Sequence, residues 1–198
     1  MGKLVYGVGI YEKGEYVCKI SYAGKYQATK EYMLWRGMLR RCSDKHQQKH
    51  PTYIGCLVSD NFKSFQYFAE WCNNQIGFGL PKYQLDKDIL VKGNKVYSEH
   101  TCAFVPDCLN MVLVKNDARR GQYPVGVYFN RPTQKFMAYL SVNSRHQNLG
   151  LFSTPEEAFL AYKEAKEQQI KLIAELYKDS IDPRVYQALL EYAVEMDD

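Results

Sequence analysis

The chain has 198 residues, 46% of them hydrophobic, which is enough to bury a globular core as one large or two to three small domains. No apolar run approaches the roughly 18 residues that span a bilayer, and the opening MGKLVYGVGIYEKGEY lacks the charged-then-apolar pattern of a signal peptide, so a cytoplasmic protein without a membrane partner is expected. Six cysteines without a C-x-x-C pair argue against a zinc ribbon or a disulfide framework, and the net charge of +4 hides a basic body: residues 1–163 hold 22 Lys and Arg against 13 Asp and Glu, residues 164–198 hold 4 against 9.

Residues 4–11 and 15–22 alternate well enough to predict two strands joined across Glu12-Lys13-Gly14 as a hairpin. Trp35, Met38, Leu39 and Cys42 then follow helical spacing over 29–42, with Arg36, Arg40 and Arg41 at other angles, where they can grip phosphate or simply face solvent. The polar stretch 43–51 lacks periodicity and is predicted to be a loop exposing His46 and His50. A helix over 60–74 follows, burying Phe65, Phe68, Ala69 and Cys72 with help from Phe62 and Trp71.

In residues 83–110 the pattern is a strand, a turn at Gly93-Asn94, a second strand and a short helix opening near Ser98. Asn94 is expected to adopt positive φ and tie the strands together. Farther on, Tyr123, Val125, Val127 and Phe129 alternate, Phe136, Ala138 and Leu140 repeat that period after a turn at 130–134, and a third strand is predicted over 149–152. Thr154 stands where an N-cap belongs, with Pro155 at the first helical position and Glu157 three residues on, so a long helix starts here and runs to 178. Pro183 interrupts the pattern, and 185–195 reads as a final acidic helix. It is suited to docking on the core or to a protein partner, and not to phosphate.

Two resemblances attach to these residues. Gly126-Val127, Lys135-Phe136-x-Ala138, Leu149-Gly150-x-Phe152-x-Thr154 and Glu156-Glu157-Ala158-x-x-Ala161-Tyr162 resemble the APETALA2-type DNA-binding domain. Residues 35–42, 65–71 and 85–98 resemble HNH endonucleases, in the form found in phage genomes where this region precedes an APETALA2-type domain. The first resemblance implies a three-stranded sheet that enters the major groove of double-stranded DNA, backed by a helix. By strand position Tyr128, Asn130, Lys135, Tyr139 and Arg145 would face the bases, and Arg119, Arg120, Arg131 and Arg145 the flanking phosphates. Tyr128, Asn130 and Tyr139 stand where the plant domains favour arginine or tryptophan, which weakens the case for bidentate guanine reading.

The second resemblance implies a ββα unit at which Asp86, Asp88 and His100 would be catalytic, with Asp86 and His100 as ligands of Mg²⁺ or another divalent metal. The position of the water-activating histidine holds Lys87 instead, and lysine carries its proton at neutral pH, so it cannot serve as general base. A degenerate site is therefore expected, with Lys87, Lys92 and Lys95 as contacts to DNA backbone and no cofactor. The expected architecture is α+β: an HNH-like region over 1–115, an APETALA2-type module over 116–178 and an acidic terminal helix over 179–198. Three functions fit these residues. The preferred one is duplex DNA binding by a phage protein in the cytoplasm of a bacterial host; the others are a metal-dependent nicking endonuclease and a phage protein that binds and inhibits a host protein.

Overall fold

Helical spacing places Trp35, Met38 and Leu39 on one side of α1 (Lys30–Arg41), where all three are fully buried. The computed structural model describes residues 4–113, 122–142 and 145–196. The fold is α+β, and the chain divides into two units, 1–107 with 179–185 and 108–178 with 186–198.

The core of the first unit is aromatic. α3 (Asp60–Lys63) supplies Phe62, and α4 (Phe65–Asn73) supplies Phe65, Phe68, Ala69 and Cys72, all fully buried. The Trp35 indole N–H donates to the Phe62 carbonyl at 2.9 Å, so the one polar atom of that side chain is satisfied in the interior. Each of these rings contributes about 1.5–3 kcal/mol by leaving water.

The helix predicted over 60–74 is broken at Ser64, whose φ and ψ of −75° and 128° are extended. The cause lies far away in sequence. Ile10 pairs with Ser64 in parallel: its N–H reaches the Lys63 carbonyl at 2.8 Å, and the Phe65 N–H reaches the Ile10 carbonyl at 3.1 Å. The Ser64 hydroxyl accepts from the Tyr67 amide as N-cap of α4 and bonds the Glu12 carboxylate.

The predicted hairpin also lies elsewhere. Residues 4–10 turn tightly, with Val5 bridging Gly9 and with φ of 53° at Tyr6 and 78° at Gly7. Gly9 packs flush on α1, where an added Cβ would come 2.2 Å from Leu39 Cδ1. The hairpin is formed instead by β1 (Lys19–Tyr22) and β2 (Lys25–Ala28). Ala23 and Gly24, at φ of 49° and 74°, make the two-residue reversal whose twist suits antiparallel strands.

Residues 43–51, predicted as a loop, contain α2 (Asp44–Gln47), and a single 3₁₀ turn follows at Pro51–Tyr53. The Gln47 amide fixes this segment by donating to the Cys56 carbonyl at 2.8 Å and accepting from the Gly55 N–H at 3.1 Å. His46 and His50 stack, ring centroids 4.2 Å apart.

In the centre, β3 (Leu57–Val58) pairs in parallel with β5 (Val96–Tyr97), while β4 (Tyr83–Asp86) pairs antiparallel with β6 (Ala103–Pro106). The predicted second strand therefore joins β3 and not β4. Ser98–Thr101 is a hydrogen-bonded turn, and α5 (Asp107–Leu113) opens at Asp107 after β6. A strand–strand–helix order remains, with its second strand and helix later in the chain than predicted.

The second unit is a sheet in the order β7 (Val127–Asn130), β8 (Lys135–Val142), β9 (Arg145–Phe152), all antiparallel. The third strand is twice the length predicted. Phe136 faces Phe152 and Ala138 faces Gly150, but Tyr139 faces Asn148, so Leu149 is an extra residue in a bulge. Gly150 takes the positive φ of 132° there, and its N–H donates to Asn148 Oδ1 at 2.9 Å.

Across one face of this sheet runs α6 (Pro155–Tyr177), started by the full capping box of Thr154 and Glu157. Val127, Ala138 and Leu140 meet Ala158, Phe159 and Tyr162 in the buried core, with Val194 beside them. The final helix, α7 (Pro183–Leu190), is shorter than predicted. Beyond it, Val194 is held to α6 by its N–H on Glu167 Oε1 at 2.9 Å and by Lys163 Nζ on its carbonyl at 2.6 Å. Among the described residues no helix is long and apolar enough to cross a membrane.

Gly126 precedes β7 with φ of 75°, and a Cβ there would lie 2.1 Å from Tyr162 Cδ2. Gly126→Ala is expected to cost at least about 2 kcal/mol, from backbone strain and overpacking together. Urea denaturation checks this, with a midpoint equal to the unaltered chain as the contrary result.

Candidate nucleic-acid interface

Alternation along β7, β8 and β9 gives the sheet two unlike faces. Val127, Phe136, Ala138, Leu140 and Phe152 pack toward α6. By register Tyr128, Asn130, Lys135, Met137, Tyr139, Ser141, His146, Asn148 and Leu151 share the other face. An aromatic row crosses it from strand to strand: Tyr128 meets Tyr139 edge-on with centroids 5.5 Å apart, and Tyr139 meets His146 edge-on at 5.6 Å. Tyr128 also bonds the Met137 sulfur through its hydroxyl and remains 42% exposed. Rings pinned in this way present edges and hydroxyls to a ligand at little entropic cost.

The electrostatics of the segment have one sign. Between Asp117 and Glu156 the chain carries Arg119, Arg120, Arg131, Lys135 and Arg145 and no carboxylate. Lys135 is exposed at the start of β8, opposite Asn130. Arg131 is exposed in the turn, where its carbonyl accepts from Gln134 Nε2 at 2.7 Å. The Asn130 side-chain oxygen accepts from the Thr133 N–H at 3.3 Å, which occupies half of the amide that would grip adenine bidentately. Arg119 and Arg120 lie outside the described residues, as does the Arg145 side chain; the Arg145 backbone stands opposite Val142.

Met137, His146, Asn148 and Leu151 share the face and were missed as candidates. The stretch 145–148 has no apolar alternation, so nothing in its composition marks a strand, and only the pairing with β8 reveals its faces.

The residues of the expected nuclease site lie in the first unit, around the loop that leaves β4. Asp86 Oδ1 accepts from the amides of Asp88 at 2.8 Å and Ile89 at 2.7 Å, closing a turn with its side chain. Burial, then repulsion from Asp88, raises its pKa above the ordinary aspartate value, against the pull of those two amides. Lys87, expected to reach toward DNA, is buried: its ammonium pairs with Asp88 at 3.0 Å, donates to the Asn94 carbonyl at 2.8 Å and lies over the Tyr97 ring at 5.8 Å. Asn94 does tie the loop together, its amide donating to the Lys87 and Val96 carbonyls at 2.6 and 2.7 Å and accepting from the Val96 N–H at 3.1 Å. The positive φ of this turn belongs to Gly93, at 76°.

Lys95 is exposed and donates to the Thr52 carbonyl at 2.8 Å, and His100 is exposed. Its neighbour Glu99 accepts from Ser59 and Asn61; burial opposes its charge, but hydrogen bonds from its own amide, Asn61 and Ser59 hold it below the usual carboxylate range. Among the described residues no three His, Cys, Asp or Glu side chains converge to hold a metal ion. Of the arginines of α1, Arg36 lies over Tyr6 and Tyr32, and Arg41 over Tyr53.

No family model matches the chain, and no curated protein or solved structure matches it.

Two variants test the loop. Asn94→Ala strands the Lys87 carbonyl and the Val96 amide, leaves the Val96 carbonyl with the Thr101 hydroxyl, and is expected to cost about 2–3 kcal/mol in urea denaturation. Asp86 has a raised folded pKa, so its contribution to stability is present in acid and lost as pH rises through that value. Asp86→Asn keeps the oxygen that accepts the two amides. It is expected to be at least as stable as the unaltered chain at neutral pH, with the advantage shrinking as pH falls through the carboxylate range.

Proposed function

We propose that this chain binds duplex DNA through the solvent face of β7, β8 and β9, as the resemblance to an APETALA2-type domain implies, and that it works in the cytoplasm of a bacterial host as a phage protein. The observation that carries the reading is the division of the sheet. One face is filled by α6, while the other holds an ordered aromatic row beside Asn130 and Lys135 in a stretch free of carboxylates. A duplex supplies what such a face can use: phosphates for Lys135 and Arg131, and base edges and thymine methyls for the tyrosine, methionine and asparagine side chains. Lacking an arginine described on this face, it is better suited to A·T-containing sites and to shape than to strict guanine reading.

The HNH-like region acts, in this reading, as a structural partner and not as a nuclease. The support is local: Lys87 stands at the position of the general base and is bound into the loop, and Asp86 spends one oxygen on two backbone amides.

Titrating a fluorescent mixed-sequence duplex with the full chain at several salt concentrations tests the proposal. Lys135→Ala is expected to make the salt dependence shallower by about 0.9 in log–log slope. Tyr139→Ala is expected to lower affinity about tenfold, the size of one lost base contact. Absence of any shift by the unaltered chain would sink the reading. Supercoiled plasmid incubated with Mg²⁺ or Mn²⁺ is expected to stay intact; nicking that disappears in Asp86→Ala would establish the endonuclease instead.

A further inference from the structure

We infer that the β1–β2 ribbon of the first unit is a second nucleic-acid contact that enters a groove of the duplex, an inference that rests on the DNA-binding reading above. The ribbon pairs with no other described strand, and every residue of it is exposed except the half-buried Ala28. Its large side chains are exposed, Ile20 at 51%, Tyr22 at 72% and Tyr26 at 78%. A two-stranded hairpin is marginal in water by itself, so one that stands clear of the core is suited to gaining its stability from a ligand.

The register decides what kind of ligand. Lys19, Ser21, Tyr26 and Ala28 share one face, and Ile20, Tyr22, Lys25 and Gln27 share the other. Each face therefore carries a lysine and an exposed tyrosine. A ribbon that lay on a protein would collect its apolar side chains on a single side; one that sits in a groove meets material on both. The major groove, about 12 Å wide, admits a two-stranded ribbon. Charge points the same way, because Lys19, Lys25 and Lys30 lie between Glu15 and Glu31 with no carboxylate among them. Lysines along both strands also oppose edge-to-edge pairing with a second copy. The base of the ribbon is fixed: Thr29 donates its hydroxyl to the Val17 carbonyl at 2.9 Å and its amide to the Cys18 carbonyl at 3.1 Å, just before α1 begins.

The same labelled duplex and salt series provide the test. Lys19→Ala with Lys25→Ala is expected to make the slope shallower by about 1.8, or 0.9 for each phosphate contact. Tyr22→Ala with Tyr26→Ala is expected to weaken binding at every salt concentration with little change of slope. Thermal unfolding followed by circular dichroism is expected to be unchanged in both, since no substituted side chain is buried. If Lys135→Ala alters binding and both ribbon variants match the unaltered chain, the ribbon inference is overturned and the sheet reading stands. The reverse pattern supports the ribbon and removes the sheet. Failure of the unaltered chain to bind overturns both, and so identifies the shared premise as the fault. Light scattering that finds an oligomer dissolved by the tyrosine pair, with DNA binding intact, overturns the inference in favour of self-association.

Discussion

A three-stranded sheet left alone in water exposes two faces and has a core of neither, so the second unit depends on the docking of α6 across β7, β8 and β9. That contact is close enough to dictate residue type at single positions. Gly126 is glycine because the Tyr162 ring occupies the space of its Cβ and because the chain enters β7 at positive φ. The capping box at Thr154 fixes where the helix begins, and the pairing of Val194 with Glu167 and Lys163 seals the same core with the end of the chain. Once one side is closed in this way, the other is obliged to meet solvent or a ligand. The polar and aromatic character of Tyr128, Asn130, Lys135 and Tyr139 is consistent with that position.

The first unit solves a different problem. Its strands are short, and outside the aromatic core its loops are ordered by side chains that bond the main chain. Asn94 holds the two ends of its loop, Gln47 holds the turn before β3, and Asp86 closes the turn after β4. These are polar residues used as fasteners. A carboxylate engaged with backbone amides is less available for a metal or a water.

Local signals were legible in the sequence wherever local physics decides the outcome. The start of α6 follows from Thr154, Pro155 and Glu157 alone, and the buried stripe of α1 from spacing alone. The alternation of Phe136, Ala138 and Leu140 gave the buried face of β8 and, by subtraction, placed Lys135 and Tyr139 on the open strands of the candidate interface. What escaped was decided by distant partners. Ser64 breaks a helical pattern because Ile10 inserts beside it, over fifty residues away. The hairpin turns at Ala23-Gly24, where alanine accepts a conformation usually left to asparagine or glycine, so the usual signal was missing. Lys87 looked like a surface cation, and its burial depends on Asn94 arriving from the far end of the loop and Tyr97 from β5. His146 and Asn148 belonged to a strand without apolar alternation, which has no periodic signature to read.

The bulge at Leu149 acts as a reading frame. Toward Phe152 the odd-numbered Leu151 faces away from α6; past the extra residue it is the even-numbered Asn148 and His146 that do so. Substitution alters this surface one side chain at a time, but loss or gain of a single residue in β9 would exchange all the side chains on one side of the change between the two faces. Diversification of the face can therefore proceed in two ways, by gradual change within a frame and by a shift of frame. The hydrogen bond from Gly150 to Asn148 is the point at which the present frame is held.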